Sequence, residues 1–209
     1  MHALLLVDIQ NDFLPGGALE VPHGDEVIPV ANTLLSQFER VVASQDWHPA
    51  NHGSFAANHP WRKPGQTIDL HGLEQVLWPI HCVQGSFGAE FAGRLNTGAI
   101  ERVFQKGTNP AIDSYSAFYD NGHRQSTGLA DYLREQQVDT LYILGLAQDY
   151  CVKFTVLDAL REGFKTYLVT DGTRPVELQA GDGEKALAEM AEQGAHLVTA
   201  REVLAQLQN

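Results

Sequence analysis

Of the two cysteines in this 209-residue chain, Cys82 and Cys151, the second stands where a thiol could act as a nucleophile. It closes the stretch Gly145-Leu146-Ala147-Gln148-Asp149-Tyr150-Cys151. An apolar run, Thr140 to Leu144, precedes this stretch, and a run with helical apolar spacing, Val152 to Glu162, follows it. The pattern predicts a buried strand, a tight turn and a helix with the thiol in its first turn, capped by Asp149. A thiol at the positive end of a helix dipole is biased toward thiolate, and the alternative is an inert, packed cysteine. No Cys-His signature accompanies it, so a base has to come from elsewhere. Asp8 could take the thiol proton, and Lys106 could hold the Asp8 carboxylate or stabilise developing negative charge. Their ordinary alternatives are a turn acid and a solvated lysine.

A second constellation has metal-ligand character. Asp46-Trp47-His48 puts a carboxylate and an imidazole on one side of an extended segment, where alternate side chains share a face. His81, in Trp78-Pro79-Ile80-His81-Cys82, could supply a third ligand. Such a set with open positions for water suits one divalent ion, with zinc ahead of manganese or iron(II). The alternative is a surface aspartate and two hydrogen-bonded loop histidines. His52 is a weaker fourth candidate. His2, His23, His59, His71, His123 and His196 read as ordinary surface or core histidines.

These residues need a frame. Strands are predicted at Ala3 to Val7, Arg40 to Ser44, Ile100 to Phe104, Thr140 to Leu144, Lys165 to Thr170 and Ala195 to Thr199. Helices are predicted at Val27 to Phe38, Gly128 to Gln136, Val152 to Glu162, Glu184 to Gln193 and Glu202 to Leu207. Residues 49 to 98 lack periodicity and are rich in His, Pro, Gly and Trp, the mark of a functional loop region. Strands alternating with helices imply an α/β fold, a three-layer α/β/α arrangement around a six-stranded, mostly parallel sheet. Ligands in such sheets sit beyond the carboxyl ends of the strands, at the point where strand order reverses. Asp8, Asp46, His48, Lys106 and the Gly145-to-Cys151 stretch all fall at those ends.

Bulk properties exclude several classes. Fourteen basic residues against 26 acidic ones give a net charge of −12, unsuited to nucleic acid or an anionic membrane. The N-terminus, MHALLLVD, lacks a signal-peptide pattern, and no apolar run is long enough to span a bilayer. Two cysteines do not make a disulfide scaffold, so free thiols and a cytoplasmic location are expected. With no repeat or linker, residues 1–209 read as one domain. Monomer and homo-oligomer stay open.

The motifs together resemble a known family. Val7-Asp8-Ile9-Gln10-Asn11-Asp12-Phe13, Gln45-Asp46-Trp47-His48, Trp78-Pro79-Ile80-His81-Cys82-Val83, Phe104-Gln105-Lys106-Gly107 and Gly145-to-Val152 are similar to those of the isochorismatase-like cysteine hydrolases. Within that family they most resemble the bacterial nicotinamidase (pyrazinamidase) group. The resemblance implies a triad of Asp8, Lys106 and Cys151 and a metal set of Asp46, His48 and His81. It also implies a cis peptide between Leu146 and Ala147, with an oxyanion hole of the Ala147 and Cys151 amides. Phe13, Trp78 and Tyr115 would line a pyridine pocket. The implied reaction is hydrolysis of nicotinamide, and also of pyrazinamide, through a cysteine thioester in NAD salvage. The rival readings are a sister hydrolase acting on another small amide or a vinyl ether, and a catalytically silent ligand- or metal-binding module.

Overall fold

The computed structural model describes residues 1–208. Its strands are β1 (His2–Val7), β2 (Arg40–Asp46), β3 (Thr67–Leu70), β4 (Leu73–Val76), β5 (Arg102–Lys106), β6 (Thr140–Leu146), β7 (Lys165–Arg174) and β8 (His196–Val198). Its α-helices are α1 (Val27–Leu35), α2 (Leu129–Glu135), α3 (Lys153–Arg161), α4 (Asp182–Glu192) and α5 (Ala200–Leu207). Six strands form one sheet in the order β5-β2-β1-β6-β7-β8, and every neighbouring pair is parallel.

Strand β1 is apolar on both faces because both faces are covered. Leu4 and Leu6 join one core cluster with Ile28, Leu34 and Val203. Ala3, Leu5 and Val7 join another with Leu129, Val156 and Met190. Alternation along a strand thus divides one hydrophobic run between two helical layers. Strand order runs outward from β1 to β2 and β5 on one side, and from β6 to β7 and β8 on the other. The reversal lies between β1 and β6, so Asp8 and the chain leaving β6 flank the switch point. Gly145 is required there. Its φ is +131°, and a Cβ would lie 2.1 Å from the Val7 carbonyl oxygen.

The structure corrects several sequence expectations. Strand β5 runs to Lys106, two residues past the expected end, because it pairs in register with β2 up to Asp46↔Lys106. Burial of that end lets charged residues finish two strands side by side. Helix α1 stops at Leu35. Residues 49 to 98 contain the antiparallel β3–β4 hairpin, turned at His71 (φ 53°) and Gly72 (φ 87°). Four-residue strands are too short to establish a period. Asp149 does not cap a helix. Its two carboxylate oxygens accept from the Val176 and Glu177 amides at 2.8 and 2.9 Å. A π-helical turn, Gln148–Val152, holds Cys151, and α3 begins only after it. No helix among the described residues is long and apolar enough to cross a membrane.

Candidate active site

Lys106 is the centre of the polar cluster. Its side chain is buried, and its Nζ lies 2.8 Å from Asp8 Oδ2 and 2.5 Å from Asp46 Oδ1. The ammonium donates to Asp46, to the Ser114 carbonyl at 2.8 Å and to Cys151 Sγ at 3.4 Å. Those three bonds use all its hydrogens. Asp8 Oδ1 accepts from the Ser44 hydroxyl at 2.7 Å, while Oδ2 has no hydrogen directed at it. Oδ2 is therefore the oxygen open to a proton from sulfur. Ligand atoms of Asp8, Asp46 and Cys151 all fall within 4.8 Å of one another. Asp8 has φ 48°, a left-handed conformation that a non-glycine residue keeps only where its surroundings impose it.

Electrostatics follow from burial against pairing. Burial alone favours a neutral amine at Lys106, but Asp46 and Asp8 outweigh it and hold the group well above the usual lysine range. Burial likewise opposes ionisation of Asp46, and Lys106 and His48 overcome it, holding the carboxyl well below its usual value. Asp8 goes the other way: burial raises it, against the pull of Lys106. The Cys151 thiol is pushed well above its ordinary value, first by burial, with Lys106 opposing and Asp8 and Asp46 adding. The expectation of a thiolate favoured by a helix dipole is thus corrected. The sulfur rests as a thiol, because burial and two nearby carboxylates exceed the effect of one ammonium and a helix end.

Beside this cluster, Asp46 Oδ2 lies 3.4 Å from His48 Nε2 and 3.6 Å from His81 Nε2. These are long for hydrogen bonds, and His48 Nε2 is buried without a partner. Ligands at about 2.05 Å around a tetrahedral ion are separated by about 3.4 Å, so the spacing fits one divalent cation. Both rings are oriented for it. His48 Nδ1 meets the Gly107 carbonyl and His81 Nδ1 the Pro79 carbonyl, each at 2.8 Å, which leaves both Nε2 lone pairs facing Asp46. Asp46 itself is clamped by Gln10, whose amide donates to the Asp46 carbonyl at 2.8 Å and accepts from the Asp46 N–H at 2.9 Å. Asp12 accepts from the Cys82 amide, next to His81, at 2.7 Å.

Gly107 makes the donor set sensitive to one methyl group. Its φ is +64°, and a Cβ would stand 2.3 Å from His48 Cε1. Gly107→Ala is expected to displace that ring and weaken metal binding by about 10- to 100-fold. Equilibrium dialysis against a metal buffer measures this, and unchanged affinity would show that His48 is not held as described.

Phe13, Trp78 and Tyr115 line one cleft with Cys151, Asp46 and His81, a space of about 360 Å³ including its mouth. The Tyr115 hydroxyl accepts from Trp78 Nε1 at 3.1 Å, which ties the two walls together. The Leu146–Ala147 peptide is cis, and Ala147 also lines the cleft. Sequence reading missed three residues here. Tyr150 packs edge-on against Trp78 with centroids 4.8 Å apart. Asp113 lies in a loop the sequence left without structure. Gln10 sits in a quoted motif, but its clamp spans 36 residues and leaves no local signal.

The chain belongs to the isochorismatase family: the isochorismatase domain matches residues 2–202. Within that family it is similar to nicotinamidases. A nicotinamidase of Escherichia coli (strain K12) is 56% identical over 205 residues, 95% of this chain and 94% of that protein. A nicotinamidase-pyrazinamidase structure from Acinetobacter baumanii superposes with a TM-score of 0.94 at 46% identity, covering 97% of each chain. A pyrazinamidase of Pyrococcus horikoshii, solved in complex with zinc, superposes with a TM-score of 0.77 at 39% identity, covering 95% of this chain and 98% of that one.

Proposed function

We propose that this chain hydrolyses nicotinamide to nicotinate and ammonia through a Cys151 thioester, in NAD salvage, and that it accepts pyrazinamide in the same pocket. The observation that carries this reading is the convergence of Lys106 Nζ on Asp8, Asp46 and Cys151, at 2.8, 2.5 and 3.4 Å, beneath an aromatic cleft that Asp46 and Cys151 line. Similarity to the E. coli nicotinamidase supports the choice of amide.

Phe13, Trp78 and Tyr115 bind the flat ring and exclude water from it. Asp8 Oδ2 takes the thiol proton as sulfur bonds to the carboxamide carbon. The amides of Ala147 and Cys151 donate to the oxyanion, each worth roughly 3 kcal/mol in the transition state. Lys106 keeps its charge beside the sulfur throughout. Asp8 returns the proton to the departing nitrogen, the C–N bond breaks and ammonia leaves. Water then cleaves the thioester. Asp46, His48 and His81 would hold a divalent ion, proposed as zinc, which supplies an anchoring Lewis acid for the ring nitrogen and positive charge beside the reacting centre.

Purified protein given nicotinamide or pyrazinamide is expected to release ammonia. Dialysis against a chelator should lower the rate by about 100-fold, and added zinc should restore it. No ammonia from either amide would reject the substrate assignment. An unchanged rate after verified metal removal would reject the ion's part in it.

A further inference from the structure

We propose that Asp149 and Gln148 are positioning residues for the oxyanion: by tying the Gln148–Val152 turn to the segment after β7, they keep the Ala147 and Cys151 amides aimed at the developing charge. This deepens the nicotinamidase reading and rests on its assignment of those two amides.

A closed ring of hydrogen bonds carries the inference. Asp149 is 5% exposed, and its carboxylate grips two successive amides, Val176 at 2.8 Å and Glu177 at 2.9 Å. The Glu177 carboxylate turns along its own segment and accepts from the Gly183 amide at 3.0 Å and the Gly181 amide at 3.3 Å. The Gly183 carbonyl in turn accepts from Gln148 Nε2 at 2.9 Å. Gln148 and Asp149 are neighbours, so the ring returns to its start. Gly183 is packed closely enough that a Cβ would lie 2.8 Å from Pro175 Cγ. Glu177 keeps a left-handed φ of 56°, a conformation uncommon in residues with a side chain.

The ring's position decides what it does. Gln148 and Asp149 lie between Ala147 and Cys151, the two residues whose amides meet the oxyanion. The turn itself is π-helical, a rare form that concentrates at functional sites. The Ala147 carbonyl accepts from the Tyr150 and Val152 amides, at 3.2 and 3.0 Å, on either side of Cys151. A buried carboxylate two residues from the nucleophile opposes both a thiolate and an oxyanion by its charge. Its place is explained by its shape: two oxygens on two amides fix the distance and the rotation of the turn together. The same grip holds Val176, which lines the cleft with Ala147 and Cys151.

Pyridine-3-carbaldehyde separates the aim of the amides from the integrity of the cleft. The Cys151 sulfur bonds to its carbonyl carbon, the thiol proton passes by way of Asp8 to the former carbonyl oxygen, and nothing leaves. The oxygen of that adduct occupies the oxyanion position. 3-Methylpyridine has no oxygen and needs only the ring walls. Asp149→Ala is expected to lower kcat/KM by about 100-fold, the usual effect of a misplacement near 1 Å, mainly through kcat. Affinity for the aldehyde should fall by the same factor, while that for 3-methylpyridine stays within about threefold and metal content is unchanged. Asp149→Asn keeps an oxygen for one of the two amides and should recover part of the loss. Gln148→Met, which loses the bond to Gly183 at similar volume, should show the same pattern at about tenfold, and it carries the test if Asp149→Ala fails to fold. Wild-type aldehyde affinity in these variants would overturn the proposal. So would aldehyde and 3-methylpyridine affinities that fall together, since the ring would then only hold the cleft's shape. A wild type that releases no ammonia from nicotinamide rejects the nicotinamidase reading, and the aldehyde comparison still decides this one, because the adduct needs the same donors.

Discussion

Cys151→Ala is expected to stop nicotinamide turnover, a fall of about 10⁴-fold or more, with the fold intact. No other thiol can replace it. Cys82 is buried, its pKa is pushed well above the ordinary value mainly by burial, and its sulfur faces the Gly88 carbonyl. The cost in stability should be near 1 kcal/mol, because the sulfur contributes one small buried contact and accepts one weak bond from Lys106. The variant should still bind nicotinamide, since Phe13, Trp78, Tyr115 and the three metal donors are untouched. Calorimetry with nicotinamide and an ammonia assay on the same sample test both halves. Turnover within about tenfold of wild type would mean that the carboxamide is attacked by something other than this sulfur.

The resting thiol also changes how the nucleophile is understood. A pre-formed thiolate would be set up by a nearby positive charge alone. Here the sulfur keeps its proton until Asp8 Oδ2, a buried carboxylate oxygen without a hydrogen-bond partner, takes it. Lys106 therefore serves two carboxylates and a sulfur in different ways. It neutralises Asp46, leaves Asp8 able to accept, and remains beside the sulfur when charge develops there.

Legibility in the sequence tracked locality. β1, β2 and β6 were visible because a strand buried on both faces reads as an apolar run, and β7 and the half-exposed edge strand β8 were visible as short apolar runs beside helical ones. Asp8, Asp46, His48, Lys106 and Cys151 could be marked because each follows or ends such a run. What could not be seen was whatever depends on contacts between distant segments. The end of β5 is set by its register with β2, and the Asp149 carboxylate is drawn off to amides 27 and 28 residues away. The direction of the thiol's shift is a property of burial, and no local spacing reports how deeply a turn is buried. Asp113 lacked signal for the same reason: it reaches the cleft across space from a segment without periodicity.

Lys106→Met should cost about 3–5 kcal/mol, the usual result of removing one partner from a buried ionic cluster. It should also steepen the loss of stability with rising pH in protein dialysed free of metal. In the wild type the folded Asp46 carboxyl lies well below its unfolded value near 3.8. A group depressed in this way contributes stability above that value and loses it as pH falls through the folded pKa, so Asp46 weakens the wild type only in acid, while His48, raised from 6.5 to about 9, contributes stability that is lost as pH rises toward 9. Lys106 is raised above 10.5, so its contribution is lost only in strong alkali. Without the ammonium, Asp8 and Asp46 face each other in a buried site. Asp8 is already raised by burial, with Lys106 as the main opposing influence. Removing that influence must raise it further. A carboxyl raised on folding contributes stability below its unfolded pKa and loses it as pH rises through the folded one. The variant should therefore gain more stability than the wild type as pH falls from the neutral range toward the unfolded carboxyl value. Denaturant melts across that range measure both slopes. A variant as stable as the wild type, with the same pH profile, would mean that the two carboxylates do not depend on this ammonium. Activity should follow the same charge, because an Asp8 that carries its own proton cannot take one from Cys151.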